Sequence, residues 1–516
     1  MLYIAVFLPQ VFLLYFLIVE KSILKSFVFL ILCFVLPALI YTAIFFVEKG
    51  FFLFTPSDAF SNKIIVVISI FIGFLISIAL DQFKKNDNEL GSAKLSGFMD
   101  CFKRGLFKKD KESVIVGRYR NKPIYVGGNE SVLVCSAMGG GKTTSIAIPN
   151  LFNWGGSAII NDLKGELWAL TRKQREKMGS KCCLFAPGED ISKASYFNPF
   201  YFVNENRQFW IRDLQRIAEV LMPDDNGHST SFWVNASRSI FVAIAFDCLE
   251  KGTEKLNLKY IYEKSKKSNL LEFLLDLDAD GATEVRQSLS SVLMADEKSQ
   301  SNMLSDFINR LNLYSDPLIQ KWTSKNTINL NKLREENHSI YLKFNPSDQD
   351  RLKSLMTLFW STFLNESTRR EPLPSELKVL CVLDEFASIG KIPLLKNGMA
   401  FLRSYGVRAV IVVQYLDQIR STYGEKDSEA FLNCKTKLAF SISSNKDAEW
   451  FSRLMGQTTK RIKTSSLSSG RKTRNINKQS RYLLTPDEIM RLKKDQLIFF
   501  YEGEDPVICK KNYYYK

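Results

Sequence analysis

Ser131-Val-Leu-Val-Cys135 runs without a break into Ser136-Ala-Met-Gly139-Gly140-Gly141-Lys142-Thr143-Thr144, a junction that few folds accommodate. The first part is short, apolar and β-branched, which suits a buried parallel strand. The second nearly matches the phosphate-loop pattern G-x-x-x-x-G-K-[ST], with Ser136 in place of the first glycine. Glycines at these positions let backbone N–H groups close around phosphate oxygens without side-chain interference. A helix after the loop directs its positive end at the same anion. We therefore expect Ser136, Gly139, Gly140, Gly141, Lys142, Thr143 and Thr144 to cradle ATP. Lys142 would reach the β- and γ-phosphates, and the Thr143 hydroxyl would face Mg²⁺.

Far along the chain, Val379-Leu-Cys-Val-Leu383 is a second apolar run, and it ends in Asp384-Glu385. Acids that emerge from the end of a buried parallel strand stand where nucleotide sites form in α/β sheets. Asp384 is expected to hold the Mg²⁺ shell, and Glu385 to orient the attacking water. Alone, such a run could be a strand followed by a solvated turn; behind a phosphate loop it reads as the other half of the site. Ser157–Ile160, Ser339–Phe344 and Arg408–Val413 supply further strands of an α/β fold. The last leads into Gln414, which is either a sensor of the γ-phosphate or a strand cap.

Hydrophobic content is ordinary at 46%, but it is concentrated at the start of the chain. Phe27–Val47 carries no charge over 21 residues, about the length of a helix that crosses a bilayer core. Ile64–Leu80 is also uncharged, and Met1–Val19 is apolar apart from Gln10 and Pro9. Residues 1–82 are expected to be a transmembrane anchor of two or three helices. Lys84 and Lys85 follow the last run, which puts the rest of the chain on the cytoplasmic side.

The net charge of +16 lies wholly beyond that anchor, because residues 1–82 hold four basic and four acidic side chains. A basic soluble part favours polyanions, either nucleic acid or an anionic membrane surface. Phe102–Lys122 is basic and close to the anchor, where anionic lipid heads would attract it. Nine cysteines without a C-x-x-C pair read as reduced core residues, with Cys182–Cys183 in a strand-like run. Two distant histidines, His228 and His338, argue against a histidine metal site.

Between Asn206 and about Asn331 the apolar spacing changes to three and four, as in Trp210, Leu214, Ile217 and Leu221. A compact all-α domain at 206–331 is therefore expected, inserted between nucleotide-binding parts at 83–205 and 332–516. Residues 459–481 carry eight basic side chains and no acid, with many Ser, Thr and Asn. This stretch is expected to be a mobile basic loop suited to phosphate backbones.

In order along the chain stand Asn161-Asp-Leu-Lys-Gly-Glu166, Tyr196-Phe-Asn198-Pro199, Leu383-Asp-Glu-Phe-Ala-Ser-Ile-Gly390, Arg403-Ser-Tyr-Gly406, Gln414, Asn433-Cys434 and Leu484-Thr-Pro-Asp-Glu-Ile489. With these motifs the sequence resembles the type IV coupling protein family, the hexameric ATPases of conjugation and type IV secretion. The resemblance implies a RecA-like P-loop domain interrupted by a helical domain, with ATP bound between neighbours in a ring of six. It also implies that Arg403 acts as an arginine finger in trans, that Gln414 is the sensor, and that Lys426 faces phosphate. The implied setting is the bacterial inner membrane, multi-pass, with the ATPase domain in the cytoplasm. The implied partners are single- or double-stranded DNA, a relaxase-type or effector protein, inner-membrane components of the secretion system, and membrane lipid.

Three functions stay open on the sequence: a DNA translocase, a receptor for secreted effector proteins, and a membrane scaffold that binds nucleotide to control assembly. The chain ends soon after Pro506-Val-Ile-Cys509 without a long acidic tail, which leans toward DNA as cargo.

Overall fold

The computed structural model describes residues 89–516, apart from 193, 225–230, 253–255, 400, 469–470 and 516. The apolar runs of residues 1–82 lie outside the described residues. The chain forms two compact units. The larger comprises Lys94–Met455 and Leu484–Lys516; the smaller contains Gly456–Leu483 with the described residues 89–93.

The larger unit is built on one eleven-stranded sheet. Its strands are β1 (Val114–Tyr119), β2 (Lys122–Val126), β3 (Val132–Cys135), β4 (Ser157–Asn161), β5 (Lys181–Phe185), β6 (His338–Leu342), β7 (Val379–Leu383), β8 (Val407–Val413) and β9 (Thr436–Phe440). After the two strands of the smaller unit, β10 (Gln457–Ser468) and β11 (Arg471–Tyr482), come β12 (Gln496–Tyr501) and β13 (Val507–Lys510). The spatial order is β2-β1-β13-β12-β9-β3-β8-β7-β4-β6-β5. From β9 to β5 every neighbouring pair is parallel. The other four strands extend the sheet antiparallel beyond β9.

Every residue of β3, β7 and β8 is buried, which is why these segments read as apolar runs, broken only by Arg408, instead of alternating ones. Parallel pairing of β3, β8, β7 and β4 brings their C-terminal ends to one edge. The loops that begin at Ser136, Asn161, Asp384 and Gln414 therefore leave the sheet side by side. At the opposite edge a buried arginine fixes the chain entry: Arg408 donates to the carbonyls of Glu130, Glu112, Val126 and Gly128 at 2.7–3.1 Å. Burial lowers its pKa to about 10, and the four carbonyls are reached by Nε and Nη1. Cys182 and Cys183 lie on β5 at the sheet edge, half-buried, as free thiols.

Between β5 and β6 the described residues contain helices and no strand. The longest, Ser231–Glu250, is covered by Trp210–Leu221, Thr283–Leu293 and Glu297–Arg310. Its segment Phe232–Glu250 is the one described helix long and apolar enough to cross a membrane, but 67% of it is buried inside the protein. It is the core of this helical region. Asn257, Asn269, Asp296 and Asp316 accept backbone N–H groups at the starts of their helices, which explains the sharp boundaries.

The smaller unit corrects one expectation. Residues 459–481 are not an irregular loop: β10 and β11 form an antiparallel hairpin paired from Gln457↔Tyr482 to Ser468↔Arg471. Thr458, Thr459, Ile462, Thr464, Thr473 and Ile476 favour extended backbone, and two residues, Ser469-Gly470, separate the strands in sequence. High charge masked that pattern. Ala93 N–H donates to the Gln457 carbonyl at 3.0 Å, and Leu90 N–H to Thr459 Oγ1 at 3.0 Å. Gly91 permits this approach, since a Cβ there would lie 2.4 Å from the Gln457 oxygen.

Candidate functional site: a phosphate loop facing two carboxylates

The loop after β3 is anchored at its start by Ser136 N–H, which donates to the Val413 carbonyl of β8 at 2.9 Å. Gly140 N–H closes a turn onto the Ala137 carbonyl at 3.0 Å. Gly139 and Gly141 adopt φ of +70° and +80°, where a side chain would be strained. Gly140 is required for space, because a Cβ would meet Ser136 Oγ at 2.3 Å and the Ala137 oxygen at 2.9 Å. Ser136 is fully buried, so the serine in place of glycine fits the turn. Thr143–Ala147 forms a π-helical turn that continues into the helix Ile148–Asn153, with Thr144 and Ser145 hydroxyls donating to the Gly141 carbonyl.

Two strands away, β7 delivers the acids. Lys142 Nζ stands 3.6 Å from Asp384 Oδ1 and 3.6 Å from Glu385 Oε1. Thr143 Oγ1 donates to Asp384 Oδ2 at 3.1 Å. Asn161, at the end of β4, fixes the same point by donating from Nδ2 to the Asp384 carbonyl at 2.7 Å. Glu385 has φ +56°, one of two described non-glycine residues with positive φ. That left-handed turn ends the strand abruptly and keeps the Glu385 carboxylate beside Lys142.

Burial raises the Asp384 pKa, while the Lys142 charge and the Thr143 hydrogen bond oppose the shift. Lys142 Nζ and Asp384 Oδ1 are both buried without a hydrogen-bond partner. These opposite charges, in ion-pair range but without hydrogen bonds, are what an anion on the lysine side and a divalent cation on the carboxylate side would satisfy. Thr143 Oγ1 and the Asp384 carboxylate fit a hard, oxygen-liganded cation. Glu385 is more exposed than Asp384, 38% against 16%, and so meets solvent at the mouth. Asp162, also raised by burial, accepts Trp168 N–H at 2.7 Å and is occupied in starting the next helix.

The other expected site residues divide. Gln414 follows β8 beside the loop, its N–H donating to Gln418 Oε1 at 2.7 Å. Lys426 is exposed on the helix Glu425–Leu432, and no hydrogen bond or ion pair joins it to the loop among the described residues. Arg403 precedes β8 and therefore sits at the opposite edge of the sheet from Lys142. There it pairs with Glu130 at 2.8 Å, which Lys435 approaches to 3.2 Å.

Sequence reasoning missed Lys511. It is buried, and its Nζ donates to the Gly140 carbonyl at 2.8 Å and to Ser441 Oγ at 3.0 Å. Burial lowers its pKa. The only signal was a lysine pair beside Tyr513-Tyr514-Tyr515, an aromatic run unusual for an exposed end.

Comparison with known proteins places this arrangement. Conjugal transfer protein TraG of Escherichia coli is 26% identical over 489 residues, covering 84% of this chain and 76% of the relative. Protein VirD4 of Rhizobium radiobacter is 26% identical over 494 residues, covering 91% and 70%. Among solved structures, the plasmid coupling protein TrwB in complex with ADP and Mg²⁺ shares the fold, with TM-score 0.61, 16% identity, and coverage of 82% and 94%. TrwB in complex with a non-hydrolysable ATP analogue gives TM-score 0.62 at 15% identity, covering 82% and 93%. The model of one family, described as type IV secretory system conjugative DNA transfer, matches residues 84–516, and to that family this chain belongs.

Proposed function

We propose that this chain is a membrane-anchored, hexameric ATPase that recruits DNA with attached protein and drives it into a type IV secretion channel. The observation that carries the reading is the meeting of Lys142, Thr143, Asp384 and Glu385 at one sheet edge, with Lys142 Nζ and Asp384 Oδ1 buried at its centre without hydrogen bonds. Relatives described as conjugal transfer proteins, and the ADP–Mg²⁺ and ATP-analogue complexes of TrwB, support the same assignment.

In this mechanism the loop N–H groups and Lys142 hold the triphosphate, and Thr143 with Asp384 holds Mg²⁺. When bound, Mg²⁺ neutralises charge between the phosphates. Glu385, at the open side, orients water and accepts its proton. Gln414 is assigned to sensing the water or the γ-phosphate. Arg403 faces away from its own loop and is assigned to the site of the next subunit in the ring, where it offsets charge on the transferring phosphoryl group. Lys426 is assigned a phosphate-facing role only in that assembled state. The basic hairpin β10–β11 is assigned to the DNA backbone. Residues 1–82 are assigned to the inner membrane, with the ATPase part in the cytoplasm.

The test is the ATPase rate of the full-length protein with and without single- and double-stranded DNA, at several protein concentrations. We expect turnover that rises more than linearly with concentration and increases with DNA. A rate indifferent to Lys142→Ala would remove the reading.

A further inference from the structure

Asp384 and Glu385 meet the phosphate loop from one side. β8 and β7 lie on one side of β3 and carry Asp384 and Glu385; β9, β12 and β13 lie on the other. The segment after β13 returns over the loop from that second side. Lys511 Nζ bonds the Gly140 carbonyl at 2.8 Å, and Tyr514 N–H donates to the Thr144 carbonyl at 3.1 Å. Tyr513 lies so close to Gly141 that a Cβ there would stand 3.3 Å from its ring carbon Cε1. Its ring stacks on Tyr515 with centroids 5.4 Å apart and planes at 26°. Tyr514 turns the other way, edge-on to Phe152 at 6.3 Å. Tyr515 is 60% exposed.

A nucleoside triphosphate is long and polar at one end, flat and aromatic at the other. With its terminal phosphate between Lys142 and the acids, a base that leaves past Gly141 and Thr144 meets the point where the tyrosine stack begins. We propose that Tyr513 and Tyr515 form the wall on which the nucleotide base stacks, held in register with the loop by Lys511. This rests on the nucleotide reading above and adds the residues that recognise the base. A stacked aromatic pair offers a π-face, and such contacts contribute measurably per base. Lys511 is a positioning residue, since it touches loop and tail but has no reason to touch the base.

The experiment measures ATP and inorganic tripolyphosphate binding to full-length wild type, Tyr513→Ala/Tyr515→Ala and Tyr513→Phe/Tyr515→Phe by calorimetry. The alanine pair should weaken ATP about tenfold, leave tripolyphosphate unchanged, and the phenylalanine pair should restore ATP. Equal ATP affinity in wild type and the alanine pair overturns the wall while the nucleotide reading stands. Parallel loss of ATP and tripolyphosphate also overturns it, because the tail would then only shape the loop. Wild type that binds neither ligand sinks both readings at once.

Discussion

Arg403 and Glu130 form a 2.8 Å ion pair at the edge of the sheet opposite the phosphate loop. β3 and β8 are parallel, and Glu130 and Arg403 precede them as Lys142 and Gln414 follow them. Arg403 thus stands at the end of β8 away from its own Lys142, and the role proposed for it is on another subunit. Arg403→Ala should lower turnover about a thousandfold and leave ATP affinity of dilute protein unchanged. Mixing Arg403→Ala protomers with Lys142→Ala protomers should regain activity, because each lends what the other lacks. Absence of any regain in the mixture rejects the assignment in trans.

Glu385 occupies a left-handed conformation that glycine adopts freely. Glu385→Gly should raise thermal stability by about 1 kcal/mol and reduce turnover at least a hundredfold. A calorimetric melting curve and a phosphate-release assay check both halves. A destabilised variant would mean the strain is absent.

Glu366 is buried in a cluster where Arg369 bonds it at 2.8 Å and also approaches Asp213 at 3.7 Å. Arg212 and Arg216 reach Asp213 from its own helix. Burial dominates, Arg369 opposes it and Asp213 adds to it, so the Glu366 pKa rises from 4.5 to about 7. The native state then keeps a proton that the unfolded chain gives up above 4.5. Stability from this group is full below that value and is lost as pH climbs through about 7, roughly 3 kcal/mol in all. Glu366→Gln should flatten this loss, and melting temperatures at pH 5.5 and 8 measure it. Identical pH dependence in the two proteins counts against the shift.

The hairpin sets Arg461 opposite Lys478 across its strands, and Lys478 also pairs with Glu89 at 2.9 Å. Replacing Lys460, Arg461, Lys478 and Arg481 by Gln should weaken DNA binding and reduce its salt slope by up to about three. Fluorescence anisotropy between 50 and 200 mM salt, on the order of the range where counterion release is readable, decides it. An unchanged slope places the DNA contact elsewhere.

Much of the parallel sheet was legible because β3, β4, β7 and β8 are buried on both faces and so are largely apolar. The site was legible for a related reason: Lys142 and Asp384 emerge from the ends of two such strands. What escaped was set by partners distant in sequence. β12 and β13 pair antiparallel with β9 and β1, and nothing local announces those neighbours. Lys511 looks like a surface cation until the chain folds it onto Gly140, 371 positions away. In the hairpin, charge hid a β-branched pattern that pairing makes visible.

The strand that carries the phosphate loop has β8 and β9 for neighbours, and both are translated long after it. A nascent chain therefore emerges from the ribosome with Val132–Cys135 unpaired for tens of seconds at ordinary elongation rates. During that interval the loop has neither its carboxylates nor its supporting strands. Until β8 and β9 arrive, that apolar strand is the kind of exposed surface from which aggregation starts.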